Sequence, residues 1–489
     1  MPVLLAALPI ALVVGAMLGL RWRAASAGAL GLGAALVVGA FAFDYGGATV
    51  LAGTAAEAGF LTVTILWIIF PALCLYEAQL RAGAFETIRS ALVRVADDLR
   101  IQVLLVAWFF GLFMEGVAGF GTPVALAAPL LVALGIAPVR AVVLALVGHA
   151  AGVSFGAVGT PVMAQMGITG LDGQALAWPA AALHATLGLG LVAALFRLAA
   201  PGWPPRAAWG WPVLAAALFL GPSLALAAMV GPELPTLAPA LVGGAAFALV
   251  ARRHAVAAHL PGPPAGALLR AALPYLVLMA LILATRLLPP LREPLRAIEI
   301  AWTLPGGFSG RIEPLYHPGT LLLIGFLLGG VLQGQAAGLA PAMARALRRL
   351  APVALALLAM LMLSRVLVHG GMIAALAQAA AASGAIWPVL APFVGVLGTF
   401  VTGSATASNI LFTGLQQGAA EALGLTPPLM HGAQNFGAAI GNIVSPHNII
   451  AGAATVALAP GREGEVLRLT LPICGLYALA GGVLVWLAG

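Results

Sequence analysis

The sequence predicts an all-α polytopic membrane protein, with about 12 spans plus two re-entrant hairpins in an inverted repeat with broken helices. Three observations predict it. Of the 489 residues, 62% are hydrophobic and only 8% charged, and the mean hydropathy is +1.08. Apolar runs of about 20 residues, the length that crosses a bilayer as a helix, recur along the whole chain. Arginines gather in alternate connections between those runs, as the positive-inside rule asks.

Spans are expected near 2–20, 24–43, 48–75, 141–165, 175–197, 209–230, 236–251, 271–288, 319–339, 350–369, 429–458 and 467–488. The first run has no basic flank ahead of it and Arg21 and Arg23 behind it, so it reads as a retained span and not a cleaved signal. The polar connections near 197–209, 254–270 and 289–318 are short and rich in Pro, which leaves no soluble domain of ordinary size. Cys74 and Cys474 lie in apolar stretches, so a disulfide framework has no support. The net charge of +7 comes from arginine alone, since no lysine occurs. With the N-terminus outside, the inside connections hold arginines from Arg21 and Arg81 through Arg94, Arg100, Arg345 and Arg349 to Arg468, and the outside ones only Arg292, Arg296 and Arg311. This charge marks topology and not nucleic-acid binding.

Two further apolar regions, 101–134 and 386–424, carry Gly, Pro and polar residues at their centres. They read as hairpins that enter from opposite sides and meet near mid-membrane. Each precedes an interrupted helix, broken at Gly152-Val153-Ser154-Phe155-Gly156-Ala157-Val158-Gly159-Thr160-Pro161 and at Gly441-Asn442-Ile443-Val444-Ser445-Pro446. Irregular backbone is tolerated in hydrocarbon only where protein buries it or a wet cavity lies beside it. Hairpin and broken helix, repeated with opposite sidedness, are the plan of many secondary transporters. On this plan residues 1–100 and 201–349 form scaffold, and 101–200 and 350–489 the two transport repeats.

Within the first tip, Glu115 is the costly residue, because a charged side chain at bilayer depth is retained for function or for a partner. A desolvated carboxyl can carry a proton, or it can pair with an arginine. Gly119 and Gly121 let backbone turn and approach a ligand, and Thr122 precedes Pro123 in the first turn of the returning helix. Ser404, Thr406, Ser408 and Asn409 in the second tip can cap helix ends or bind an anionic or hydroxylated solute. Gly156 and Gly159 in the first break, and Asn442 and Ser445 in the second, complete the substrate-binding candidates. Small polar residues also serve as packing between membrane helices. Arg365 sits in an apolar run, where it can clamp a substrate carboxylate or neutralise Glu115. Arg286 is expected to snorkel to the interface, and Glu57 to be structural. His149, beside a break, can line the cavity or relay protons. The histidines show no paired ligand spacing, so no metal or other cofactor is expected.

Several of these runs resemble the bacterial L-lactate permease family: Asp98-Leu99-Arg100-Ile101-Gln102, Ala107-Trp108-Phe109-Phe110-Gly111, Glu115-Gly116-Val117-Ala118-Gly119-Phe120-Gly121-Thr122-Pro123, Phe155-Gly156-Ala157-Val158-Gly159-Thr160-Pro161 and Ser408-Asn409-Ile410-Leu411-Phe412. The resemblance implies a multi-pass protein of the bacterial cytoplasmic (inner) membrane that carries lactate or glycolate with protons and works as a homodimer with elevator-type motion. It is a divergent resemblance. Ala405 stands where the family often has Asp, Asn442 falls in a run where the family often has Lys, and His149 stands where Asn is more frequent. The function expected is proton-coupled symport of a small 2-hydroxymonocarboxylate such as L-lactate, D-lactate or glycolate, with Glu115 and His149 as proton-coupling residues. Sodium-coupled transport of another organic anion is the alternative, and an intramembrane enzyme or a passive channel are rivals of other classes.

Overall fold

The computed structural model describes residues 2–92, 95–119, 121–254, 263–459 and 461–489. Arg94 of the expected inside set and Phe120 of the first tip lie outside them. Among the described residues, ten helices are long and apolar enough to cross a membrane: Ala24–Ala42, Ala48–Arg81, Leu99–Val117, Pro138–Thr169, Gly173–Leu198, Arg206–Met229, Ala265–Leu287, Ala336–His369, Gly384–Thr402 and Glu463–Ala488. Helix is what the composition demands, because every backbone donor and acceptor then finds its partner within the segment. The expected spans 2–20, 236–251, 319–339 and 429–458 are met by shorter or broken helices, Pro2–Leu18, Leu237–His254, Pro318–Leu332 and Pro427–Gly441 with Pro446–Thr455, while Leu99–Val117 and Gly384–Thr402 fall in the two expected hairpin regions.

Two helices overrun their expected ends. Ala48–Arg81 and Ala336–His369 each have 34 residues and pack along one another. The polar stretch around Arg345 and Arg349, expected as a connection, stays helical because both guanidinium groups reach Glu77, at 3.0 and 2.7 Å. Gln79 exchanges hydrogen bonds with Gln333, whose Nε2 also donates to the carbonyl of Arg270. These partners are the helix ends that the arginine pattern puts inside. Glu57 and His369, paired at 2.7 Å, come from ends that it puts outside.

The connection at 289–318 is more ordered than its composition suggests. It contains a helix, Pro289–Arg296, and an antiparallel pair of strands, Ile300–Leu304 and Phe308–Ile312. Phe308 buries its ring against Gly53, and the Ser309 amide donates to Glu57. A polar stretch of this kind gives no membrane-helix signal, and its order comes from docking onto Ala48–Arg81.

Four interruptions lie where the Gly- and Pro-rich runs fall. Leu99–Val117 ends before Gly119 and Gly121, both at positive φ, and Thr122–Ala133 follows. Trp387–Thr402 ends at Gly403 (φ +73°), and Ala405–Leu423 follows with Ser404 as its cap. Pro138–Thr169, the most deeply buried of the long helices, is broken by a tight turn at Ala150–Phe155 and by three left-handed residues, Ala157, Val158 and Gly159. Pro427–Gly441 passes through Asn442–Val444 into Pro446–Thr455. Val158 at φ +55° is strained backbone, since a β-branched residue avoids that region. Such strain persists only where surrounding structure enforces it.

Candidate functional site

The four interruptions converge on one small cavity of about 30 Å³. Its walls are Glu115 and Gly119 from the first tip, Val153, Gly156, Ala157, Thr160 and Pro161 from the first break, Gly403, Ser404, Ala405 and Thr406 from the second tip, and Asn442 from the second break. A volume of this size holds a water molecule or two.

Glu115 is 4% exposed, and its carboxyl has no ion-pair or hydrogen-bond partner among the described residues. A Cβ on Gly156 would overlap Glu115 Oε1, so the glycine makes the space in which the carboxyl sits. Opposite it, the Ser404 hydroxyl accepts from the Ala407 amide at 3.3 Å, and Ala405–Leu423 presents its N-terminal turn to the cavity with Thr406 at the wall. The first amides of a helix have no partner within it and carry the positive end of its dipole, so they favour an anion. The cavity thus combines a lone acid on one side with amide and hydroxyl donors on the other.

Of the candidates read from sequence, Glu115, Gly119, Gly156, Ser404, Thr406 and Asn442 line this cavity. His149 stands one residue behind. Its Nδ1 lies 2.7 Å from the Ala145 carbonyl, which can only accept, and its Nε2 is 3.2 Å from Asn442 Oδ1. Gly121 faces Asn448, and the Thr122 hydroxyl donates to the Gly119 carbonyl inside the tip itself. Ser408 donates to the Gly395 carbonyl and accepts from Gln434. Asn409 donates to the Pro161 carbonyl and to Asn435 Oδ1, and Asn435 in turn donates to the Ser154 carbonyl. Both side chains are fully buried, and they bind the backbone that flanks the first break. Ser445 is buried away from the cavity wall.

Two arginines depart from their expected places. Arg365 reaches neither the cavity nor Glu115; its Nη2 donates to the Ile168 carbonyl and its Nη1 lies 3.9 Å from Glu57. Glu57 takes its closer bond from His369, a structural partnership. Arg286 does not snorkel: it is buried against Glu233, at 2.6 Å, with its guanidinium 3.7 Å over the ring of Tyr316. Glu233 lies 53 residues earlier in the chain, and no local pattern joins the two.

Gly159, a substrate-binding candidate, packs against protein, and so do Gly116 and Gly152. All of residues 230–240, whose first half reads as a short outer connection, are buried. A Cβ on Gly159 would stand 2.5 Å from the Pro232 carbonyl, and one on Gly116 2.8 Å from the Leu237 Cα. The Thr236 hydroxyl donates to the Gly152 carbonyl at 2.7 Å. Backbone, not solute, presses on these positions.

A polytopic helical membrane protein whose broken helices meet at a buried polar cavity has the architecture of a secondary transporter. The family model for L-lactate permease matches residues 2–304 and 307–489. Glycolate permease GlcA of Escherichia coli (strain K12) is 30% identical over 545 residues, covering 98% of this chain and 94% of that protein. The L-lactate permease of Bacillus subtilis (strain 168) is 29% identical, covering 96% and 92%. The chain belongs to the L-lactate permease family, as a divergent member. It is a permease and not an enzyme, a multi-pass protein of the bacterial inner membrane that handles a small carboxylate. Among solved structures, Neisseria gonorrhoeae MtrF, described as an antimetabolite efflux pump, aligns over 97% of this chain and 96% of its own, with a TM-score of 0.56 at 15% identity. The YdaH transporter of Alcanivorax borkumensis aligns over 90% and 87%, with a TM-score of 0.50 at 18% identity. At these identities the likeness is one of fold.

Proposed function

We propose that this protein is a proton-coupled symporter of a small 2-hydroxymonocarboxylate, L-lactate, D-lactate or glycolate. The observation that carries the reading is the unpartnered, buried carboxyl of Glu115 on the wall of a cavity whose other wall holds helix-start amides and hydroxyls. A lone carboxylate is burdensome in such surroundings, which suits Glu115 to loading a proton as the solute binds. The substrate carboxylate would meet the amides at the start of Ala405–Leu423, and its hydroxyl would meet Thr406 and Asn442. His149 acts through Asn442, and a change in its protonation would turn the amide that faces the solute.

In this reading the two tips are re-entrant hairpins of an inverted repeat. Residues 101–200 and 350–489 are the transport repeats, 1–100 and 201–349 the scaffold, and the chain works as a homodimer. The names of the lactate and glycolate relatives support the substrate class.

Uptake of labelled lactate and glycolate into proteoliposomes under an imposed pH gradient, inside alkaline, tests it. Accumulation is expected with the gradient and not when sodium replaces choline at fixed pH, and Glu115→Gln is expected to abolish gradient-driven accumulation. Uptake indifferent to the gradient and intact in Glu115→Gln would remove the acid's role, and sodium dependence would move the reading to a sodium-coupled carrier.

A further inference from the structure

The buried segment at 230–240 has no place in the mechanism so far, yet it touches the first tip and both ends of the first break. Pro232 abuts Gly159, Thr236 donates to the Gly152 carbonyl and Leu237 abuts Gly116, the residue next to Glu115. Pro232 and Pro235 suit an irregular strand of backbone in such a setting, since they carry no N–H to satisfy and fix their own φ. One buried ion pair ties the segment to the helix Ala265–Leu287. Glu233 Oε1 accepts from both Nη2 and Nε of Arg286, at 2.6 and 3.0 Å, and both side chains are at most 5% exposed. Arg286 is itself fixed by the Tyr316 carbonyl, at 3.1 Å, and by the face of the Tyr316 ring.

We infer that Glu233 and Arg286 are positioning residues of the transport site: their ion pair clamps residues 230–237 against the first break, and the clamped segment enforces the left-handed turn at Ala157, Val158 and Gly159 that leaves room for the Glu115 carboxyl. The inference rests on reading the cavity as the substrate site. It explains why a valine is held at φ +55°, which nothing in its own sequence favours. It also explains why the segment connecting Arg206–Met229 to Leu237–His254 is buried at every position.

Hydrogen–deuterium exchange on the full-length protein in lipid nanodiscs tests this without any substrate. Removing one partner leaves a buried charge unpaired and loosens the fold broadly, so the informative variant is the neutral pair Glu233→Gln with Arg286→Gln. The expected result is a melting temperature close to wild type, with amides in peptides covering 150–165 exchanging about tenfold faster and those of Glu463–Ala488 unchanged, because opening is local. Unchanged rates at 150–165, or an equal rise in both regions, would overturn the inference. The readout is separate from lactate uptake: a wild-type protein that fails to carry lactate refutes the proposed substrate, and the exchange result still decides the role of the clamp.

Discussion

Gly156→Ala isolates the fit between the first break and the acid. Gly156 has φ −62° and ψ 155°, a conformation open to any residue, so the substitution adds a methyl group without backbone strain. That methyl carbon would overlap Glu115 Oε1 and lie 3.0 Å from the carboxyl carbon, about half an ångström or more inside the ~3.5–4.0 Å optimum for carbon contacts. Leu237 packs against Gly116 behind the acid, so the carboxyl has little room to retreat except into the 30 Å³ cavity. Overpacking of this kind costs about 1–3 kcal/mol. Where that cost falls on the loaded state, at about 1.4 kcal/mol per tenfold, uptake efficiency drops by roughly 5- to 150-fold. The assay is initial-rate lactate uptake in proteoliposomes at fixed pH gradient, with melting temperature measured in parallel. Shortening the acid in Glu115→Asp with Gly156→Ala is expected to recover part of the loss. Wild-type uptake in Gly156→Ala, or a double variant worse than either single one, would refute the steric reasoning.

Asn409→Leu removes the donor that both the Pro161 carbonyl and Asn435 Oδ1 use, leaving buried acceptors unpaired at about 1–3 kcal/mol each, so the melting temperature falls clearly. Arg365→Met is expected to leave the KM for lactate uptake within about twofold of wild type, since uniform binding is unaffected by a residue outside the cavity, while lowering the melting temperature modestly because His369 retains Glu57. A large rise in KM would return Arg365 to the role of a carboxylate clamp.

Much of the helical layout was legible in the sequence because apolar length and arginine placement are local quantities. So were the four interruptions: Glu115, Gly119, Gly156, Ser404, Thr406 and Asn442 were picked out by their polarity or flexibility, and all reach one cavity. What local reading missed are relations across the chain. A glycine that admits a ligand and one that admits another backbone look alike, so Gly116, Gly152 and Gly159 gave no hint of residues 232–237. Asn409 looked like a ligand for the same reason, when its amide was already engaged by Asn435 and Pro161. Glu233 stood unremarked in a short connection because its partner, Arg286, is distant in sequence, and the strands at 300–312 carry no periodic apolar signal.

The size of the cavity between the two tips has a consequence for the economy of the cell. A space that admits a water or two, and no organic acid, leaves the walls of the cavity close together around Glu115. If the protein works as proposed, cargo would have to part these walls to enter, so the step that opened Glu115 to a proton would be the step that admitted the anion. On the proposed symport, a membrane holding many such molecules would stay tight to protons while the acid is scarce, and the gradient would be drawn down only in exchange for carbon.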